Sequence, residues 1–287
     1  MKETASFVAL AFSAFAALGG IVSEVSVPSA SMGKNVPASV ILPDGYDAGT
    51  TNRWPVVYIL HGAGGSHRRY IDEDMGLPGL ADRFKVVIVC ADGEKTSWWL
   101  DSPVDPSCRY ETHVVKELVP WVDSHYSTFP VRGKRAVMGA SMGGHGACRI
   151  GFRHKDLFGA VGLIAGAVDL TPFPNGWEIA RRLGPRDKFP ERWKAHSAIS
   201  EAAKLKNGEI EIVSVIGTSD IFLDPNRRMH KLLADNKVAH TYVELRGVDD
   251  NASGHHLSFT STALPVVFSF LGAYLDSGRG SLAGCGR

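Results

Sequence analysis

The sequence has almost no net charge: 31 Lys and Arg residues stand against 30 Asp and Glu, a formal charge of +1. No long basic run occurs, so a single-sign field able to hold nucleic acid is excluded. Cysteine is scarce, with Cys90, Cys108, Cys148 and Cys285 as the whole complement. No two stand at C-x-x-C spacing, which removes the usual zinc and thiol-redox signatures, and no metal or organic cofactor is expected. Cys90 ends an apolar run and Cys148 follows a glycine-rich segment, so both read as small core residues, while Cys285 is expected free in a Gly-rich tail. A chain of 287 residues can bury a large core without disulfides. Internal repeats and low-complexity blocks are lacking. After the first 22 residues no segment reads as long and apolar enough to cross a bilayer. The one basic cluster, His67-Arg68-Arg69, reads as a solvated loop rather than a phosphate or carboxylate contact.

What is present begins with "MKETASFVALAFSAFAALGGIV". Its apolar stretch, Phe7 to Val22, is short for a membrane span and has small residues near its end. Residues 1–22 therefore read as a signal peptide, cleaved after Ala16 or a little later, although Glu3 offsets Lys2 at its head. The expected location is secreted or periplasmic, with no stable membrane insertion once the leader is gone.

Beyond the leader, β-branched residues from Val25 to Pro43 are split by Gly33-Lys34-Asn35, the pattern of an opening hairpin. Unbroken apolar runs follow at Pro55–Leu60, Lys85–Ala91, Lys134–Ala140, Ala160–Gly166 and Glu209–Gly217, with His240–Leu245 completing the series. Such runs mark strands buried on both faces of a parallel sheet. Helical patterns lie between them: Val114, Val115, Leu118 and Val122, with a kink expected at Pro120; Met229, Leu232 and Leu233; and a last amphipathic helix carrying Leu264 to Leu275. The fold class is therefore α/β, a mainly parallel central sheet flanked by helices, in one domain over residues 23–276. Residues 169–200 are rich in Pro, Arg and Trp without a strand signal and read as an inserted loop or cap. Residues 277–287, within "SGRGSLAGCGR", are expected to be a disordered tail.

The chemistry centres on "AVMGASMGGHGA", Ala136 to Ala147. Gly139-Ala140-Ser141-Met142-Gly143 is a G-x-S-x-G placed after an expected strand and before a helix. A serine at the apex of so tight a turn sits in strained backbone, and side chains two positions either side of it would collide. A serine hydroxyl needs a base, and the base needs an orienting acid. Asp220 directly follows the Glu209–Gly217 strand, with Asp224 as its rival in a Leu-Asp-Pro-Asn turn. His255 and His256 follow the last strand; Gly254, which allows close backbone approach, favours His255 as base. "YILHGAGGS" supplies glycines whose backbone N–H groups can turn inward, so the N–H groups of Ala63 and Met142 are the expected oxyanion donors. His61 reads as a loop-fixing residue.

With these motifs placed, the chain resembles the esterase-D-type α/β-hydrolase family. That group includes S-formylglutathione hydrolases, feruloyl and acetyl-xylan esterases, tributyrin-type esterases and mycolyltransferases. The resemblance spans about Glu24 to Asp276 and rests on "YILHGAGGS", "SWWLDSP", "YETHVVKELVPWVDSHY", "GASMGGHGA", "GTSD" and "GHH". It implies a Ser141–His255–Asp220 triad, an oxyanion hole from Ala63 and Met142, and hydrolysis of a carboxylic ester without a cofactor. Cytosolic glutathione-thioester hydrolases fit an exported chain poorly. The secreted members imply an ester partner linked to plant polysaccharide, feruloyl or acetyl, or a short-chain ester. Trp98, Trp99 and above all Trp177, which lies in the insert, are the candidates to offer flat faces to a sugar or aromatic acyl group, with core or rim packing as the competing reading for each. An acyltransferase with the same triad and a non-catalytic carbohydrate-binding relative are the alternatives.

Overall fold

The β-branched opening folds as a hairpin, in which β1 (Ile21–Ser29) and β2 (Lys34–Leu42) pair antiparallel from Ile21↔Leu42 to Ser29↔Lys34. Gly33, at φ 64°, makes the turn. The computed structural model describes residues 20–246 and 255–277. Most of the expected leader, Gly254 and Cys285 lie outside the described residues, while Ile21 and Val22 open β1.

The remaining apolar runs form β3 (Val56–Leu60), β4 (Val87–Ala91), β5 (Arg135–Ala140), β6 (Ala160–Ile164), β7 (Glu211–Gly217) and β8 (Thr241–Leu245). All join one eight-stranded sheet in the order β1-β2-β4-β3-β5-β6-β7-β8. β2 meets β4 antiparallel, and every pairing from β4 through β3 to β8 is parallel. Every residue of β3, β4, β5 and β6 is buried, as strands covered on both faces must be. β8, at the edge, is only half-buried.

Ten α-helical segments surround the sheet among the described residues: α1 (Arg69–Asp72), α2 (Leu77–Phe84), α3 (Tyr110–Thr112), α4 (Val119–His125), α5 (Met142–Arg153), α6 (Ile179–Leu183), α7 (Pro190–His196), α8 (Ala198–Ala202), α9 (Leu223–Asp235) and α10 (Leu257–Asp276). Consecutive residues of β6 show how two of them divide. Val161 Cγ2 faces Gly151 of α5, while a side chain at Gly162 would run into Val267 of α10. Neighbouring strand residues point to opposite faces, so α5 and α10 cover opposite sides of the sheet. At Pro120 the helix is irregular. The residue lies inside an unbroken helical run from Tyr110 to His125, directly after a π-helical stretch, His113–Leu118, where the wider turn takes up the irregularity that a proline without an N–H imposes. The 169–200 segment contains α6, α7 and the start of α8.

One expectation is corrected here. α10 has 20 residues at a mean hydropathy of 1.4 and is long and apolar enough to cross a membrane by length and composition. Its Leu264, Val267, Phe268 and Leu271 are buried, and it lies against β6 and β7 as a core helix. Polar Ser and Thr residues interrupt its apolar run, which masks the span-like length in the sequence. Cys90, Cys108 and Cys148 are buried free thiols, and burial pushes Cys90 up to about 12 and Cys108 up to about 11.

Candidate active site

Ser141 occupies the turn between β5 and α5 at φ 58° and ψ −120°, a backbone conformation that side-chain-bearing residues rarely adopt. The turn can close because of its glycines. A Cβ on Gly139 would stand 2.5 Å from the backbone of Gly143, and one on Gly143 would stand 1.9 Å from the Leu60 carbonyl oxygen. Three backbone hydrogen bonds hold the strained residue. Ser141 N–H donates to Ile164 O at 3.0 Å, and its carbonyl accepts from His145 N–H at 3.0 Å and Ala167 N–H at 3.1 Å.

The parallel pairing brings the loops after β5, β7 and β8 to one rim of the sheet, and the three distant side chains meet there. His255 Nε2 lies 2.9 Å from Ser141 Oγ, and His255 Nδ1 lies 2.8 Å from Asp220 Oδ2. The Asp220 side chain is wholly buried and the His255 side chain 20% exposed. Asp220 Oδ1 accepts the N–H of Phe222 at 2.8 Å, so one carboxylate oxygen is fixed by backbone and the other faces the imidazole. A carboxylate only accepts, so Nδ1 carries the proton and Nε2 is left to accept the serine O–H. The Phe222 ring meets the imidazole edge-on at 4.9 Å. Asp224, the rival acid, sits in the first turn of α9. His256 caps α10 and lines the same pocket.

The loop after β3 closes over the serine. A Cβ on Gly62 would lie 3.3 Å from Ser141 Cβ, which brings Ala63 beside the hydroxyl. Among the described residues, neither Ala63 N–H nor Met142 N–H donates to another backbone group. The loop itself is tied down. Gly64 N–H donates to Lys95 O at 2.8 Å and Gly65 N–H to Gly62 O at 3.1 Å. His61 Nε2 accepts from Gly93 N–H at 2.9 Å, which leaves Nδ1–H to donate to Gly62 O at 2.8 Å. Burial lowers the His61 pKa, so the ring stays neutral and braces the loop.

A pocket of about 190 Å³ opens above Ser141 and includes Ala63, Asp220, His255 and Trp177 in its walls. Trp177 is 39% exposed and stacks at its edge on Phe173 and Phe222. Trp98 and Trp99 are not where a substrate can reach them; at 1% and 0% exposure they are core residues. Both residues stand at positive φ, 57° and 55°, a backbone conformation uncommon for residues with side chains. Trp99 Nε1–H donates to His61 O at 3.1 Å, and Trp98 Nε1–H donates to Trp177 O at 3.0 Å. They support the loop and the insert from beneath. Phe222, Tyr70 and Arg69 were not singled out as site residues by the sequence, although Phe222 stands two positions from Asp220. Among the described residues no cluster of three or more His, Cys, Asp or Glu is placed to hold a metal.

A strained serine between strand and helix, on a mainly parallel sheet covered on both faces, places the chain in the α/β-hydrolase class. Within that class it belongs to the Esterase family, whose profile matches residues 29–260. Relatives include an esterase of Mycobacterium tuberculosis, 30% identical over 146 residues, which are 50% of this chain and 31% of that protein. An endo-1,4-beta-xylanase/feruloyl esterase of Xylanibacter ruminicola is 30% identical over 159 residues, 51% of this chain and 22% of that protein. The chain thus spans a third or less of the length of these two. The S-formylglutathione hydrolase of Mus musculus is 24% identical over 77% of this chain and 81% of its own. Among solved structures, a ferulic acid esterase superposes with a TM-score of 0.76 at 20% identity, covering 90% of this chain and 99% of that one.

Proposed function

We propose that this chain is a serine carboxylesterase acting through an acyl-enzyme. His255 Nε2 takes the proton of Ser141 as Oγ attacks the ester carbonyl, and Asp220 steadies the imidazolium that forms. The N–H groups of Ala63 and Met142 receive the tetrahedral oxyanion. His255 returns the proton to the leaving alcohol, then activates the water that frees the acid. The observation that carries this reading is the double contact of His255, 2.9 Å to Ser141 Oγ and 2.8 Å to Asp220 Oδ2.

The substrates proposed are feruloyl or acetyl esters of plant polysaccharides, together with short-chain esters. Support comes from the half-exposed Trp177 at the pocket and from the xylanase/feruloyl esterase among the relatives. A leader that ends before β1 begins at Ile21 would deliver the enzyme to the compartment where such polymers occur. The test is a hydrolysis panel of feruloyl, acetyl and butyryl esters with the wild type and Ser141→Ala. Turnover is expected in the wild type and absent in the variant. Normal turnover by pure, folded Ser141→Ala ends the proposal, and the panel ranks the acyl groups.

A further inference from the structure

Three basic side chains stand in a row at His67-Arg68-Arg69, and the structure separates them. His67 Nδ1 lies 3.1 Å from Asp92 and its Nε2 lies 3.6 Å from Glu24. Arg68 pairs with Glu24 and, at 2.9 Å, with Asp72. Arg69 is different. Its guanidinium makes no ion pair or hydrogen bond among the described residues, and it lines the Ser141 pocket. The residue is partly buried. A cation removed from part of its water without a counter-charge is held at a disadvantage that an incoming anion relieves.

We propose that Arg69 is a specificity-determining residue that pairs with a carboxylate carried by the ester substrate, remote from the bond that is cleaved. This rests on the esterase reading of the pocket. Among the described residues the one carboxylate in the pocket wall is Asp220, and both its oxygens are engaged, by Phe222 N–H and by His255. The oxyanion of the reaction has its own donors in the N–H groups beside Ser141. The planar guanidinium fork matches a carboxylate in two parallel hydrogen bonds, which lysine cannot reproduce. The carboxylate can belong to the acyl part or to the alcohol part.

Two matched pairs of esters test this with the full chain. The para-nitrophenyl monoester of adipic acid, set against para-nitrophenyl hexanoate, carries the charge on the acyl side. Para-acetoxybenzoate, set against para-acetoxybenzamide, carries it on the alcohol side. In Arg69→Gln, kcat/KM for the acid of at least one pair is expected to fall roughly 10- to 100-fold further than for its neutral partner. The loss should lie mainly in KM, because the contact is the same in ground state and transition state. Arg69→Lys should recover part of it. Equal losses on acid and neutral ester in both pairs overturn the proposal. Binding of the same four esters to Ser141→Ala, with and without Arg69→Gln, decides the matter without turnover. If the wild type cleaves none of them the esterase reading fails, but a selective loss of acid binding still supports Arg69, and an equal loss still overturns it.

Discussion

The ring of Phe222 meets the imidazole of His255 edge-on, with centroids 4.9 Å apart and planes at 90°. The same residue's N–H holds Asp220 Oδ1 at 2.8 Å. One buried residue therefore orients both the base and its acid, the first through its ring and the second through its backbone. Phe222→Leu removes the aromatic edge and keeps the backbone bond. Its kcat is expected to fall about tenfold with KM within about twofold, since a misplaced base slows chemistry without weakening ground-state binding. Steady-state kinetics well below the unfolding temperature check this. A change confined to KM would assign Phe222 to the substrate pocket instead.

The backbone at Ser141 makes a prediction about stability. At φ 58° and ψ −120° a residue with a Cβ is strained by roughly 1–3 kcal/mol. Glycine removes that strain but loses about 0.5–1 kcal/mol to its greater freedom when unfolded. Ser141→Gly and Ser141→Ala should both be inactive, and the glycine variant should be the more stable by about 1 kcal/mol. Denaturant midpoints compare the two. A glycine variant less stable than the alanine variant would mean that the turn stores no strain.

The contrast between the serine turn and the tryptophans shows what the sequence makes legible. The spacing of Gly139, Ser141 and Gly143 is local, so the collision it avoids can be read from neighbouring letters. The order of apolar runs likewise implies the parallel sheet, and that sheet brings Asp220 and His255 to Ser141. Trp98 and Trp99 are another matter. Whether an indole faces solvent depends on what covers it, here Gly146 of α5 and the His61 loop, which lie far away in the chain. Arg69 looked like its neighbours for the same reason. Glu24 and Asp92, which pair with Arg68 and His67, arrive from other strands and loops and leave Arg69 out. Gly254, used to favour His255 over His256, lies outside the described residues.

The two adjacent histidines can be ranked by experiment. His255 contacts both Ser141 and Asp220, whereas His256 caps α10. His255→Ala should lower kcat by roughly 100,000- to 1,000,000-fold, and His256→Ala by less than about tenfold. Acyl-enzyme burst kinetics on an activated ester should disappear in the first variant and persist in the second. The reverse order would transfer the base to His256.

His145 links acid sensitivity to the nucleophile helix. The ring is entirely buried in α5, with Nδ1 3.1 Å from Trp98 O and Nε2 2.8 Å from His196 O at the end of α7. Burial pushes its pKa down from 6.5 to about 4, although the two carbonyls oppose the fall. The unfolded chain takes up this proton near pH 6.5, and the folded chain only near pH 4. Between these values the unfolded state binds more protons, so stability falls as the pH falls. The contribution is fully present above pH 6.5 and is lost on the way down to about pH 4. A slope of up to about 1.4 kcal/mol per pH unit is expected, with a loss of about 3 kcal/mol in all. His61, also lowered by burial, adds with the same sign. Urea unfolding across this window should give a smaller slope for His145→Gln, whose side chain does not titrate, than for the wild type. Identical slopes would show that another group sets the acid sensitivity.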